Sequence, residues 1–474
     1  MIKNVIKIVL KSICIVAIFI GIWVFLTPYF RIDKDVSGDQ FRNLPEDSID
    51  ILILGSSHAQ YSMNPAVFYE ETGYYAYVLG SGCQPMTMSY YMLVEALKTQ
   101  KPEVVILDVF TMMPSSEMCY DDGMFYRALN HFTDENRMEA ADNIDNKDKI
   151  LEYKYDLLMN HDKWKREDFN FEDTTNHDLN YMMGYVSQDP KEYTFRYVVE
   201  HERSDTDVKI NQKDLKALLN IYNLCNENDI KLILMKAPID IDQENYDYLQ
   251  AIWDIADYYG IDHVDLIEKA DEIDFAFGAD GDSWHNSNWG AEKCSKYMAK
   301  YIERNGLVLF HTYNDVLESL CQSLSSFTVE KVFKNNVDIY QLLEYASKYD
   351  VTMLIKYKGS YKSSITSEEN ELLQNAGADF DFINNKKQNY YAIIQNQEVI
   401  VDGNEPIEYK LNGKNITINN DKIVIDNEVF DNLGELEIIF LGNDFNWINE
   451  VPIDYSSRWF WKNGCNGWDC EEKE

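Results

Sequence analysis

Short apolar runs recur through much of the chain, and segments of helical character separate them. Their length and aliphatic composition are typical of strands that are buried on both faces of a sheet. The runs cover residues 49–54, 75–79, 104–107, 232–235 and 263–266. Helices are expected at 90–99, 212–226 and 291–305. This alternation predicts a three-layer α/β/α fold with a parallel sheet, in which sites form beyond the carboxyl ends of the strands.

An uncharged, strongly apolar segment runs from Ser12 to Phe30 near the N-terminus. A helix of this length spans roughly 28 Å, close to the hydrocarbon thickness of a bilayer. Basic residues precede it at Lys3, Lys7 and Lys11. They favour a cytoplasmic N-terminus, with the rest of the chain outside. A cleaved signal peptide is the alternative, but no small-residue cleavage site closes the run. We therefore expect a single-pass anchor through residues 12–30 and a polar linker at 31–48.

Charge and cysteine spacing exclude several classes of function. The 474 residues include 81 acidic and 43 basic ones, for a formal net charge of −38, which disfavours a nucleic-acid partner. The eight cysteines form no C-x-x-C pair and no zinc spacing, so we expect neither a metal site nor a cofactor. Cys465 and Cys470 either close a small disulfide loop in an extracellular tail or remain free thiols.

Two short motifs lie far apart in this α/β region. Gly55-Ser56-Ser57-His58 follows the first apolar run, and Asp282-Ser283-Trp284-His285 shortly precedes the last predicted helix. A serine hydroxyl is a weak nucleophile at neutral pH, so it needs a general base and a group that orients the base. His285 can take the proton of Ser57, and Asp282 can accept the other imidazole N–H. The pair of motifs therefore predicts a catalytic triad of Ser57, Asp282 and His285.

The oxyanion of an acyl-transfer intermediate needs backbone donors as well. The N–H of Ser57 is one candidate, and Gly82 after the second apolar run is the other. Either motif alone is weak, because serines often cap helices that follow strands. His58 is expected to be structural or to form a wall of the pocket. The remaining histidines of this region are expected on the surface or in a lid: His131, His161, His177 and His201.

At these residues the chain resembles the SGNH/GDSL hydrolase superfamily, over about residues 48–305. Gly55-Ser56-Ser57 is similar to its first block, Gly82 to its second, and Asp282 with His285 to its last. The asparagine of the third block, an oxyanion donor, is absent, since Val109-Phe110-Thr111-Met112 follows the third apolar run. A nucleophile elbow of the α/β-hydrolase type is less consistent with the motifs, because there the acid lies well away from the histidine in sequence.

The anchor, the Gly-Ser-Ser start and the missing asparagine resemble the branch that includes the teichoic-acid D-alanylation and alginate O-acetylation proteins. This resemblance implies that Ser57 accepts an acyl group, preferably acetyl, and passes it to a hydroxyl of a cell-surface polysaccharide. It also implies a multipass membrane-bound O-acyltransferase as partner. Two alternatives stay open. One is a carbohydrate esterase that removes acetyl groups by the same chemistry, and the other is a non-catalytic scaffold.

Two further regions complete the predicted organisation. An insertion at about 112–210 interrupts the catalytic domain of residues 49–305 and suggests a lid or an acceptor-binding surface. Residues 306–474 form a small α+β or β-sandwich accessory domain. A helical linker at 314–324 lies near its start. The domain weakly resembles the interleukin-like inducer domain and either binds glycan or is a structural appendage. Its predicted helices and strands cover 337–348, 351–356, 367–376, 390–395, 416–419, 423–425 and 435–441. Tail tryptophans that can stack on sugar follow at Trp459, Trp461 and Trp468.

Overall fold

The computed structural model divides into two compact units. The first contains Met1–Pro190 and Phe195–Leu324, and the second contains Lys191–Thr194 and Ser325–Glu474. The residues that the structure describes are 2–30, 37–120, 122–129, 131–144, 147–165, 180–189, 201–204, 208–277, 280–282, 284–335, 339–360, 365–431 and 434–453. The tail with Cys465, Cys470 and the three tryptophans, like His177, lies outside them. The predicted domain limits and roles remain predictions.

The first unit begins with a long apolar helix, α1 (Ile2–Phe30). Within it, the 22 residues Ile6–Thr27 have a mean hydropathy of 2.6, and none of them is buried within the protein. This segment is long and apolar enough to cross a membrane. Its orientation in a bilayer remains a prediction. A short helix, α2 (Ser37–Arg42), follows within the expected linker.

A five-stranded parallel sheet forms the centre of the first unit, as predicted. Its strands are β1 (Ile51–Gly55), β2 (Ala76–Gly80), β3 (Val104–Asp108), β4 (Lys231–Lys236) and β5 (Asp262–Asp265). They are ordered β2-β1-β3-β4-β5. Ile53 of β1 pairs with Val78 on one side and with Ile106 on the other. The chain order reverses at β1, and such switch points are where open α/β sheets leave a crevice for ligands.

Ten helices of the described chain accompany this sheet. They are α3 (Ser57–Ser62), α4 (Pro65–Thr72), α5 (Met86–Ala96), α6 (Asp122–Leu129), α7 (Asp134–Ala141), α8 (Ile150–Lys154), α9 (Asp156–Met159), α10 (Gln212–Glu227), α11 (Gln243–Tyr259) and α12 (Asn288–Arg304). Four short 3₁₀ turns lie at Phe110–Met112, Pro114–Tyr120, Lys147–Lys149 and Lys163–Lys165. Helices α4, α6–α9 and α11 have no counterpart among the helices predicted from the sequence, and α5 begins a few residues before the predicted one.

Helices cover both faces of the sheet. On one face, α5, α10 and α11 pack on alternate strand residues, in a core that includes Leu52, Leu54, Met92, Leu218 and Ile252. On the other face, α3, α4 and α12 do the same, in a core that includes Ile53, Ala59, Phe68, Val78 and Met298. Because side chains alternate between the faces of a strand, each apolar run supplies both cores.

The insertion contains its own buried polar contacts. Arg137 of α7 forms an ion pair with Asp156 of α9 at 2.6 Å, and both side chains are nearly inaccessible to solvent. Of the two expectations for His131, a surface position is wrong, because its side chain is fully buried, and a place in a lid stays a prediction. The Nδ1 atom of His131 accepts a hydrogen bond from the Gly38 N–H at 3.2 Å. A backbone N–H of α2 therefore satisfies one of the two nitrogens of the buried ring.

The second unit is built mainly from antiparallel strands. Helix α13 (Asp315–Asn335) contains the boundary between the units, and α14 (Ile339–Ala346) and α15 (Ser367–Asn375) follow it. The strands are β6 (Val351–Tyr357), β7 (Tyr390–Gln395), β8 (Glu398–Gly403), β9 (Ile407–Leu411), β10 (Lys414–Ile418), β11 (Ile423–Ile425), β12 (Glu428–Phe430), β13 (Leu436–Gly442) and β14 (Ile448–Ile453).

These strands form two sheets, ordered β14-β13-β6-β7-β8 and β12-β11-β10-β9. A shared core joins them and includes Leu354, Ile393, Ile416, Ile423 and Ile439. The predicted strands of this region are present, β7 and β11 with the predicted limits and the others with slightly shifted ones. Strands β8, β9, β12 and β14 were missed. In β9, for example, three of five residues are exposed and polar or aromatic, so the apolar signal there is weak.

Candidate active site

The end of β1 is shaped so that Ser57 follows it at once. Gly55 has a φ of +148°, and a Cβ at this position would lie 2.7 Å from the Cβ of Asp108. Only glycine fits such a close approach of two strand ends. Ser56 caps α3, since its Oγ accepts the N–H of His58 at 3.2 Å. Ser57 is therefore the first residue of α3, at the carboxyl edge of the sheet.

The structure brings Ser57 and His285 together. Nε2 of His285 lies 2.9 Å from Oγ of Ser57, although 228 positions separate them in the chain. At this distance the serine hydroxyl can donate to a neutral imidazole, which is the geometry that a general base requires. The ring of Tyr61 stacks on the imidazole, with centroids 4.3 Å apart and an interplanar angle of 27°. Tyr61 therefore limits the orientations that the imidazole can adopt.

Asp282 holds the backbone of the turn that carries His285. Its Oδ1 accepts the N–H groups of Trp284 and His285, each at 2.7 Å. Its own N–H donates to the carbonyl of His285 at 2.9 Å. An aspartate that binds the backbone two and three residues ahead stabilises a tight turn. The predicted hydrogen bond between the Asp282 carboxylate and the imidazole N–H remains a prediction.

Part of the insertion supports this turn. Gln188 donates from Nε2 to Oδ2 of Asp282 at 3.4 Å. Asn288, the first residue of α12, accepts on Oδ1 from Tyr185 Oη and Ser187 Oγ, each at 2.8 Å. The analysis of the sequence missed these residues, since no motif marks the segment at 185–188. The asparagine at the start of α12 was the one available signal.

Buried titratable groups lie behind Ser57. Oγ of Ser56 donates to Oδ2 of Asp108 at 3.2 Å, and burial raises the pKa of Asp108 to about 6. Burial also lowers the pKa of Lys236 to about 8. The pKa of His58 is well below its ordinary value, because His58 is buried and faces the charge of Lys236. His58 is therefore neutral at physiological pH and lies in the wall of the site.

A cleft of about 530 Å³ opens over Ser57. Its lining includes His285, Gly82, Phe110, Arg127 and Trp284. The predicted oxyanion residues Ser57 and Gly82 thus face the same cleft, and their roles as donors remain predictions.

Phe110 belongs to the stretch Val109–Met112, in which the resemblance predicts an asparagine, and it stacks on His58 with ring centroids 3.6 Å apart. Among the described lining residues Gln60 has the only carboxamide, and its Nε2 donates to the carbonyl of Gly80 at 3.1 Å. Arg127 comes from α6 in the insertion, where no sequence motif indicated it.

Comparisons with known proteins give little guidance. No protein-family model matches the chain, and no curated protein does so either. A presumed acylhydrolase from Bacteroides fragilis NCTC 9343 is similar at 11 % identity and a TM-score of 0.30, over 58 % of this chain and 99 % of its own. An acetyl xylan esterase from the rumen bacterium Butyrivibrio proteoclasticus is similar at 12 % identity and a TM-score of 0.25. This similarity covers 56 % of this chain and 66 % of the esterase. TM-scores of this size support no conclusion about the fold or the function of this protein.

Proposed function

We propose that the protein is a serine-dependent acyl-transfer enzyme that works through an acyl-enzyme on Ser57. The observation that carries this proposal is the 2.9 Å separation between Ser57 Oγ and His285 Nε2 at the edge of a solvent-open cleft. A serine at a strand end, directly beside an imidazole, is the arrangement that nucleophilic catalysis on esters requires. The turn held by Asp282 keeps the imidazole in place.

The reaction follows from these groups in two halves. Ser57 Oγ attacks the carbonyl carbon of an ester while His285 Nε2 takes the hydroxyl proton. The bond to the leaving alcohol then breaks, and His285 returns the proton to the departing oxygen. The acyl group is now an ester of Ser57. An acceptor hydroxyl next attacks this ester, gives its proton to His285, and leaves acylated as Ser57 regains its own proton.

The acceptor that we propose is a hydroxyl of a cell-surface polysaccharide, and the acyl group is acetyl. Trp284 supports a glycan acceptor, because its indole is 45 % exposed beside the nucleophile and offers a flat apolar face for a sugar ring. The apolar segment Ile6–Thr27 supports anchoring of the enzyme in the membrane. A cleft on the outer side is part of the proposal, and the lysines at the start of the chain favour it. A multipass membrane O-acyltransferase that supplies the acyl group is part of the same proposal.

A carbohydrate esterase is the second candidate, and the openness of the cleft favours it. Ser57 is only partly buried, so water can reach an acyl group attached to it. Water and a sugar hydroxyl then compete for the same ester, and access decides which of them wins.

The full-length chain in detergent micelles provides the test. It is incubated with a neutral chromogenic acetyl ester, with and without acceptor oligosaccharides, and both ester cleavage and acetylated sugar are measured. Transfer to sugar supports the O-acyltransferase, whereas cleavage that ignores sugar supports the esterase. Ser57→Ala should abolish both, while Ser323→Ala, at an exposed helical serine, should change neither. Turnover that survives Ser57→Ala would contradict the proposal, because another group would then be the nucleophile. Absence of turnover in the wild type would also contradict it and would favour the non-catalytic scaffold.

A further inference from the structure

The candidate site has two predicted backbone donors for an oxyanion but no carboxamide at the position where a third is expected. Among the residues of the stretch where it is expected, Phe110 lines the cleft and stacks on His58. Gln60, the only carboxamide among the described lining residues, is bound to the carbonyl of Gly80. A tetrahedral intermediate gains most of its stabilisation from donors that are already in place. A further donor in the cleft would therefore add to the two backbone N–H groups.

Arg127 brings a guanidinium to the same cleft as Ser57. It lies in the last turn of α6 and lines the cleft together with Ser57 and Gly82. A methyl group added to Gly82 would lie 2.5 Å from Nη1 of Arg127 and 3.7 Å from its Cζ. The guanidinium thus packs directly against the face of Gly82, and it can do so only because Gly82 has no side chain.

The charge of Arg127 distinguishes it from its neighbours. It is the only permanently charged side chain among the described residues that line the cleft. The chain as a whole carries a formal net charge of −38, so a cation at this position does not follow from average composition. A guanidinium presents several N–H donors in one plane and stays protonated at any working pH. It is thus suited to a negative charge that develops on an ester carbonyl.

We propose that Arg127 donates an N–H to the developing oxyanion and takes the place of the missing asparagine. The proposal rests on the acyl-transfer function proposed above. During the attack of Ser57 the carbonyl π electrons move onto the oxygen, which then accepts hydrogen bonds from the two backbone N–H groups and the guanidinium. When the leaving group departs, the carbonyl re-forms and these bonds weaken. Arg127 therefore favours the transition state over the bound ester.

The test uses the full-length chain in detergent and a neutral ester, 4-nitrophenyl acetate. Arg127→Ala should lower kcat by about 10²-fold and change KM by no more than about threefold, as expected for a lost oxyanion donor. Millimolar guanidinium ion should restore part of the activity of Arg127→Ala, but none of that of Ser57→Ala. Arg203→Ala serves as the matched control, because Arg203 is an exposed arginine that pairs with Asp254 outside the cleft. It should match the wild type.

A second variant addresses the geometry and avoids the loss of the arginine. Gly82→Ala leaves the backbone N–H in place but forces the guanidinium away, at little cost because the far end of a flexible side chain moves. It should lower kcat by about tenfold with an unchanged unfolding temperature. The rate at which a neutral fluorophosphonate labels Ser57, followed by mass spectrometry, should fall in parallel in both variants, since that adduct is also tetrahedral.

The outcomes separate this proposal from the proposed function. If Ser57→Ala abolishes ester cleavage while Arg127→Ala and Gly82→Ala retain kcat within threefold, the function stands and the role of Arg127 is wrong. If Arg127→Ala raises KM only for acidic oligosaccharides and leaves the neutral ester unaffected, Arg127 recognises substrate charge, and the proposal is equally overturned. If neither cleavage nor labelling depends on Ser57, the proposed function fails and this inference fails with it.

Discussion

The hydroxyl of Ser56 donates to Oδ2 of Asp108 at 3.2 Å and so joins the ends of two neighbouring strands. Oγ of Ser56 also accepts a hydrogen bond from the N–H of His58 at the start of α3. The two serines after Gly55 thus have different surroundings. Ser56 is fully buried and bound within the protein, whereas Ser57 is partly exposed and faces His285.

Replacement of each serine by alanine should have opposite effects on stability and on activity. Ser56→Ala removes the cap of α3 and the bond to Asp108, so we expect a loss of unfolding free energy of about 1–2 kcal/mol and residual activity. Ser57→Ala should leave stability within about 0.5 kcal/mol of the wild type and abolish ester cleavage. Denaturant unfolding and cleavage of a neutral acetyl ester measure both. The reverse pattern would identify Ser56 as the nucleophile.

Asp108 should make stability depend on pH in an unusual direction. Its pKa is about 6 in the folded protein because of burial, against about 4 in an unfolded chain. Between these pH values the folded state holds the additional proton. The contribution of Asp108 to stability is therefore fully favourable below about pH 4 and is lost as the pH rises through about 6.

Asp108→Asn removes this titration and keeps an oxygen that can accept from Ser56. The unfolding free energy of the variant, relative to the wild type, should rise by up to about 3 kcal/mol between pH 4 and pH 6 and then level off. Other carboxylates cancel in this difference. Denaturant unfolding at several pH values measures it. A difference that stays flat across the window would show that Asp108 ionises at its ordinary pKa.

Two substitutions at Asp282 should distinguish its backbone role from its charge. Asp282→Asn keeps an oxygen for the N–H groups of Trp284 and His285, so the turn and the unfolding temperature should be preserved. We expect kcat to fall by about 10²- to 10⁴-fold, because the imidazolium loses its counter-charge. Asp282→Ala should lose as much activity, and in addition about 1–3 kcal/mol of stability. Full activity in Asp282→Asn would show that only the turn matters.

Cys83 should be reactive at neutral pH. A hydrogen bond with the buried Cys119 and the positive charge of Arg127 lower its pKa to about 7, despite partial burial, and the thiol lines the cleft. The rate of alkylation by iodoacetamide at Cys83, mapped by mass spectrometry, should rise through a midpoint near pH 7. Burial raises the pKa of Cys225 and Cys321 to about 12, so these thiols should stay unmodified.

Alkylation at Cys83 should also block ester cleavage, since the adduct fills the cleft beside Ser57. Cys83→Ser is the control, and its activity should survive the same treatment. A midpoint near the ordinary thiol pKa of about 8.5, or inactivation that persists in Cys83→Ser, would contradict this prediction.

Continuous apolar runs and long amphipathic segments could be recognised in the sequence alone. The apolar runs indicated the five strands of the parallel sheet, because strands buried on both faces need continuous apolar sequence. Helix α4 was missed, since an eight-residue helix is too short to show a clear helical period. In the second unit, β9 was missed because most of its residues are exposed. The observed limits of several helices and strands differ from the predicted ones by a few residues, because the residues of turns and caps show little periodicity.

The chain order by itself determined that a serine stands at the end of β1 and that an Asp-x-x-His turn precedes α12. Only the tertiary structure decided which side chains meet there. It placed Nε2 of His285 at Ser57 and the guanidinium of Arg127 against Gly82. The physical reason is that a parallel sheet brings strand ends to one edge whatever their sequence separation. The contacts made across that edge come from loops and insertions, whose residues follow no period.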